Sequence, residues 1–163
     1  YEVKEPRVGL VSIGEEREKG NQLVKATHQL LADDSSLNFI GNVEGNDVLS
    51  GDVDVVVADG FTGNVILKTI EGTIKFLVDQ IVTALTAEEA VAVGAQALNH
   101  LAPIAAELNP DAVGGAMLLG VNGVAIISHG SAGPTAVTNA CQVAKDMVER
   151  DLLGELSAAV SSD

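Results

Sequence analysis

The sequence contains no tryptophan, one tyrosine and three phenylalanines, so aromatic residues are only 2% of its 163 positions. Its core must therefore be built from Val, Ile, Leu and Ala, side chains that suit parallel strands covered by helices. Cysteine is nearly absent as well. Cys141 stands alone, which excludes an internal disulfide and a zinc site made of several cysteines; on the apolar side of an expected helix it suits packing better than reactivity. Basic residues are scarce, nine against 23 acidic ones, for a formal net charge of −14. That balance argues against a nucleic-acid binder, which needs a basic face to displace counterions from phosphates. An anionic substrate would have to be held by local features that overcome the acidic field, and the plainer use of these acidic residues is to keep the surface soluble. Prolines number four against 17 glycines, a ratio that points to many tight turns rather than to a disordered linker. A long membrane span is not in view either: the uncharged stretch 90–106 is broken by Gln96, Asn99, His100 and Pro103 and is short for a crossing. No signal peptide or targeting tail is visible. A first residue that is Tyr1, with a strand almost at once, is expected of a piece of a longer chain.

What is present reads as alternating strands and helices. Residues 7–13 form a buried strand, 14–20 a charged loop, and 21–32 a helix with Leu23, Ala26, Leu30 and Leu31 on one face. Residues 37–43 are the next strand and 47–49 a short helical turn. The run VDVVVA at 53–58 is continuously apolar, as in strands buried on both faces. After the DGFTG turn, Ile66, Ile70, Ile74, Leu77, Ile81 and Leu85 mark a helical stripe, with Lys68, Glu71, Lys75 and Asp79 opposite. A second helix spans about 87–108, starting at Thr86 with Glu88 and Glu89 in its first turn and ending at Asn109-Pro110. This pair, residues 64–108, carries more apolar surface than one sheet face needs. Gly114-Gly115 opens a strand and turn, 124–128 is another buried strand, and 134–150 a helix with Val137, Cys141, Ala144 and Val148 inside. The alternation predicts an α/β fold, one unit over residues 1–163, with right-handed crossovers around a mainly parallel sheet.

Three junctions share one plan of strand, glycine-bearing turn and helix start: IGEEREKGN at 13–21, DGFTGN at 59–64 and SHGSAGP at 128–134. In a parallel sheet all three lie at the carboxyl edge, where α/β proteins bind ligands. Helix N-termini offer free N–H groups, and glycine lets a phosphate approach the backbone. Each glycine is also what any tight turn requires, so it is the threefold recurrence that points to an anion site. Rival constellations are missing: GxGxxG at the strand–helix turns, GxxxxGK[ST], HExxH, GxSxG and any clustered His/Cys set. His28 is expected to be exposed between charged positions, and His100 either packs or faces solvent. His129 precedes Gly130 and Ser131 at a strand end; it either closes the turn or moves a proton, for which imidazole is well tuned.

The strings IGEEREKGN, FIGNVEGNDVLSGDVDVVVADGFTGNVILKTIEG and GGAMLLGVNGVAIISHGSA together resemble the acyl-carrier-protein:phosphate acyltransferase family of phospholipid synthesis, in order from Pro6 to Ala132. The resemblance implies a Rossmann-like three-layer α/β sandwich akin to isocitrate and isopropylmalate dehydrogenases, this chain being the C-terminal half of the full fold. It implies a cytoplasmic homodimer associated peripherally with the inner membrane, in which residues 64–108 make the dimer contact and residues 82–87 the membrane-facing tip. It implies acyl carrier protein as acyl donor, inorganic phosphate as acceptor, acyl phosphate as product, and no cofactor or metal.

By motif, Lys19, Gly20 and Asn21 match the family's KGN element. Asn42 and Glu44 match NVEG, and Asp59, Gly60, Gly63 and Asn64 match DGFTGN, with Lys68 one turn later. Asn122, His129, Gly130 and Ser131 match the last signature. The roles expected from this are phosphate binding by Lys19 and by N–H groups at a Gly63–Asn64 helix start. Asn64 and Asn42 orient the reactants, and His129 serves the leaving thiolate or the oxyanion. Two other readings remain open: a phosphate acetyl- or butyryltransferase using coenzyme A, and a folded half that turns nothing over alone.

Overall fold

A run of apolar residues near the start of the chain sets up its longer sheet. Val8, Leu10 and Val11 are buried in β1 (Arg7–Val11), and Val43 is buried beside them in β2 (Asn38–Val43). The computed structural model describes residues 3–130 and 132–161. In it β1 is the middle strand of a three-stranded parallel sheet, ordered β2–β1–β3, with β3 at Val55–Val57. The connection from β1 to β2 is α1 (Gln22–Asp33), and a single 3-10 turn at Asp47–Leu49 precedes β3. The expected α/β architecture with helices flanking a parallel sheet is therefore observed.

Two features of this sheet depart from the sequence reading. The VDVVVA run was expected to be covered on both faces, yet β3 is an edge strand whose Val55 and Val56 are exposed. It is paired on the β1 side alone, so its composition exceeds the cover it receives among the described residues. The second feature is a bulge. Val8 pairs with Phe39 while Gly9 pairs with Gly41, which leaves Ile40 as an extra residue. Gly41 has φ +102, a value that favours glycine.

The amino ends of β1 and β3 are fastened by charge. The Arg7 backbone N–H and Nε donate to Asp54 Oδ2 at 2.7 and 2.9 Å, and Nη2 donates to the Gly51 carbonyl at 2.6 Å. The Arg7 side chain and its backbone N–H hold the Asp54 carboxyl at about 2, against an ordinary 3.8. A carboxylate whose pKa is depressed in the folded state contributes stability that is fully present above its ordinary pKa and lost as pH falls through the folded value. The stability gap between the native protein and Asp54→Asn, measured by urea unfolding, is thus expected to narrow between about pH 4 and pH 2. A gap that stays constant over that range would contradict the assignment.

The chain divides into two units, Tyr1–Ile70 and Glu71–Asp163, the division falling within α2 (Gly60–Thr86). The half-buried residues of α2 include Ile66, Ile70, Ile74, Val78 and Leu85, whereas Leu77 and Ile81 are exposed. Thr86 was expected to start the next helix. It ends α2 instead, its hydroxyl donating back to the Val82 carbonyl at 2.8 Å. A 3-10 turn at Glu88–Ala90 and α3 (Val91–Glu107) follow, with Pro103 inside α3.

In the second unit, α4 (Pro110–Val113) leads into β4 (Ala116–Met117), which pairs antiparallel with β5 (Ile126–Ile127) as a two-stranded hairpin. The expectation that residues 124–128 join the parallel sheet is corrected here: two residue pairs form a separate ladder, and Ile127 is exposed. α5 (Pro134–Glu149) starts with Pro134, favoured where no N–H is needed, and packs on α4 and on α6 (Leu152–Val160). Its inward residues are Ala136, Ala140, Val143, Ala144 and Met147. Of the face expected from periodicity, Val137, Cys141 and Val148 are exposed, so packing on α4 has selected the neighbouring stripe.

Candidate functional site

Because β1, β2 and β3 run parallel, the segments that follow them emerge at the same edge of the sheet. That edge collects the loop 14–20, Asn42 and Glu44, and the turn that opens α2. The loop leaves β1 through Ser12, whose N–H donates to the Val43 carbonyl at 2.9 Å and prolongs the pairing. It closes where the Lys19 N–H donates to the Glu16 carbonyl at 2.9 Å. Gly20 then takes φ +92; a Cβ there would lie 2.7 Å from Val24 Cγ1 and 3.0 Å from Ser12 Oγ. Only glycine fits both the torsion and the space. Asn21 follows as the cap of α1, its Oδ1 accepting the Val24 N–H at 2.9 Å.

Asn42 is 5% exposed and is fully used: Nδ2 donates to the Glu16 carbonyl at 2.9 Å, and Oδ1 lies 3.0 Å from His28 Nδ1. His28, expected on the outside of α1, therefore faces the sheet, with its ring edge-on to Phe39 at a centroid distance of 5.1 Å. The inward positions of α1 are Val24, Thr27, His28 and Leu31, while Leu23 and Leu30 of the expected face are exposed. Beyond β2, the Glu44 N–H donates to Asp47 Oδ2 at 2.7 Å, closing a polar turn.

The start of α2 differs from the expectation. DGFTG is not a turn before the helix but its first turn, since Gly60 already belongs to α2. Asp59 is the reason: Oδ1 accepts the N–H groups of Phe61 and Thr62 at 3.0 Å each, and Oδ2 accepts the Thr62 hydroxyl at 2.6 Å. The Thr62 hydroxyl and N–H, joined by the Phe61 N–H, hold the Asp59 carboxyl below the ordinary carboxylate range. The Gly63 N–H, expected to meet a phosphate, donates to the Asp59 carbonyl at 2.8 Å. A carboxylate from the chain itself thus sits where an anion was expected.

Two candidate donor side chains at this edge, Lys19 and Asn64, lack a hydrogen-bond or ion-pair partner among the described residues. Both are exposed, and the Lys19 stem lies against Gly14, whose Cβ position would be 3.0 Å from Lys19 Cγ. Ser12 adds a buried hydroxyl that has no hydrogen-bond partner among the described residues. Sequence reading did not single it out; its place directly after β1 and before the glycine-bearing loop was the available signal. Lys68 is exposed on the third turn of α2. Asn122 lies in the turn between β4 and β5, and His129 and Gly130 follow β5, all in the second unit; Ser131 lies outside the described residues. No group of three or more His, Cys, Asp or Glu side chains is placed to hold a metal among the described residues.

A sequence model described as "Fatty acid synthesis protein" matches residues 1–154. The chain belongs to the fatty acid synthesis protein family. Its relatives in that family include the phosphate acyltransferase of Halothermothrix orenii, 47% identical over 99% of this chain and 49% of that protein. The phosphate acyltransferase of Prochlorococcus marinus is 44% identical over 96% of this chain and 36% of that protein. That of Streptococcus pneumoniae is 44% identical over 99% of this chain and 49% of that protein. The chain thus spans about half the length, or less, of these family members. Among the described residues no helix is long and apolar enough to cross a membrane.

Proposed function

We propose that this chain contributes the anion-holding sheet edge of a phosphate acyltransferase that moves a fatty acyl group from acyl carrier protein onto inorganic phosphate. The observation that carries the reading is Lys19. It is an exposed cation without a partner among the described residues, presented by a tightly turned loop beside the buried Ser12 hydroxyl, in a chain of net charge −14. Such a cation offsets the local acidic field where a dianion must bind. A phosphate oxygen attacks the thioester carbonyl carbon, the C–S bond breaks, and the sulfur leaves as a thiolate that takes up a proton. Phosphate is already anionic near neutral pH, so catalysis rests on holding it in line and on stabilising the carbonyl oxygen. Asn64 supplies an orienting donor at the same edge. The names of the relatives support phosphate as acceptor, and the NVEG and SHGSA strings support acyl carrier protein rather than coenzyme A as donor.

The same reading includes a homodimer formed through residues 64–108, where Leu67, Phe76, Leu77, Val82, Val93 and Ile104 are exposed apolar side chains in want of cover. It also includes a cytoplasmic location with peripheral contact to the inner membrane through residues 82–87. Donor choice is the discriminating experiment. The longest natural polypeptide carrying this sequence, supplied with phosphate, is expected to consume long-chain acyl carrier protein and to leave acetyl- and butyryl-coenzyme A untouched. Preference for the short coenzyme A esters would overturn the reading.

A further inference from the structure

We infer that His28 is a positioning residue for the phosphate-holding loop, acting through Asn42 on the carbonyl that also anchors Lys19. The inference rests on the function proposed above for Lys19, but the hydrogen-bond chain itself does not. Its links are fixed by chemistry. The Glu16 carbonyl can only accept, so the Asn42 atom 2.9 Å from it is the amide nitrogen. That orients Oδ1 toward His28, and an amide oxygen can only accept, so Nδ1 of His28 carries the proton. The Glu16 carbonyl receives a second donor, the Lys19 N–H, also at 2.9 Å. One carbonyl is thereby shared between the tether from the sheet and the residue that presents the cation.

Two further features hold the chain of bonds in place. The bulge at Ile40 shifts the alternation of β2, so Phe39 and Asn42, three residues apart, both meet His28. Phe39 meets the imidazole edge-on, with an interplanar angle of 76°, and so fixes the rotation of the ring. The neighbouring Gln29 accepts from Arg17 Nη2 and is itself bonded to Asp33, so α1 grips the loop at a second point that His28 substitutions leave intact. Asn42 is nearly fully buried, so loss of the imidazole donor would strand its amide oxygen away from water.

Two substitutions separate a positioning role from simple filling of space. His28→Phe keeps an aromatic ring against Phe39 but has no donor. His28→Asn gives up the ring but places an amide N–H near the Nδ1 position. In the longest natural polypeptide carrying this sequence, His28→Phe is expected to raise KM for phosphate about tenfold with kcat nearly unchanged, the scale on which one buried hydrogen bond tells. Amide hydrogen exchange in residues 14–20 is expected to quicken in His28→Phe, and His28→Asn is expected to restore both readouts. Nitrogen NMR of the unsubstituted protein, at a pH where the ring is neutral, is expected to show the proton on Nδ1. A proton on Nε2 would overturn the inference, as would a His28→Phe protein with native KM and native exchange. A His28→Phe protein that loses kcat while its loop exchanges normally would do the same, because the ring would then act otherwise than through the loop. If the unsubstituted polypeptide transfers nothing to phosphate, the acyltransferase reading falls, and ring NMR and loop exchange still decide the positioning role.

Discussion

Replacing Lys19 with alanine is expected to lower kcat/KM for phosphate by about two to three orders of magnitude, the scale of losing one preorganised charged donor from an acyl-transfer site. The fold should survive, because the Lys19 ammonium bonds to nothing among the described residues and only its stem rests on Gly14. What the loop needs from position 19 is its backbone N–H, and alanine keeps it. Steady-state kinetics beside a urea unfolding curve checks both halves of the statement. Native stability with turnover within about twofold of the unsubstituted protein would remove Lys19 from the site, since that is far below the loss expected of such a donor.

Gly20→Ala should act in the opposite order, on the fold first and on the site as a consequence. The new methyl would stand 2.7 Å from Val24 Cγ1 and 2.9 Å from Val24 Cβ, in a backbone with φ +92. A strained torsion costs about 1–2 kcal/mol and overpacking about 1–3 kcal/mol, so a loss of about 3 kcal/mol is expected. Relief requires moving either the loop or the first turn of α1, and both moves disturb the Asn21 cap, which sits between them. Unfolding midpoints and phosphate affinity should therefore fall together. A Gly20→Ala protein within about 0.5 kcal/mol of the native one would show that the loop adjusts freely, against the geometry described.

Several of these features were legible in the sequence. The strand at 7–11 announces itself by an apolar run followed by turn residues, the KGN string stands directly before α1, and the DGFTG string follows β3. The helix faces were not legible. α1 carries apolar residues at 23, 24, 26, 30 and 31, which make two overlapping stripes, and hydropathy alone selects Leu23 and Leu30. The sheet selects the other stripe because Asn42 gives His28 a buried partner, a cross-chain bond that no periodicity encodes. α5 slips in the same manner under the influence of α4.

The Asp59 cap was hidden for a different reason. An acidic residue before a glycine reads equally well as a turn or as a helix start, and the hydroxyl of Thr62 decides between them. The hairpin of β4 and β5 is two residues deep, too short for a period of two to be distinguished from a single buried strand. Among the candidate site residues, the motifs located the sheet edge well. They could not separate Asn21, Asn42 and Asp59, whose side chains are bonded within the fold, from Lys19 and Asn64, whose side chains have no partner among the described residues.

The central claim is that phosphate itself is the acyl acceptor, and isotopic labelling tests it most directly. Long-chain acyl carrier protein is incubated with the longest natural polypeptide carrying this sequence and with phosphate labelled by oxygen-18. The freed carrier thiol and the acyl product are then measured together. Thiol release should require phosphate, and each thiol should be matched by one acyl phosphate retaining the full label of its phosphate. Thiol release that proceeds without phosphate and yields free fatty acid would contradict the account.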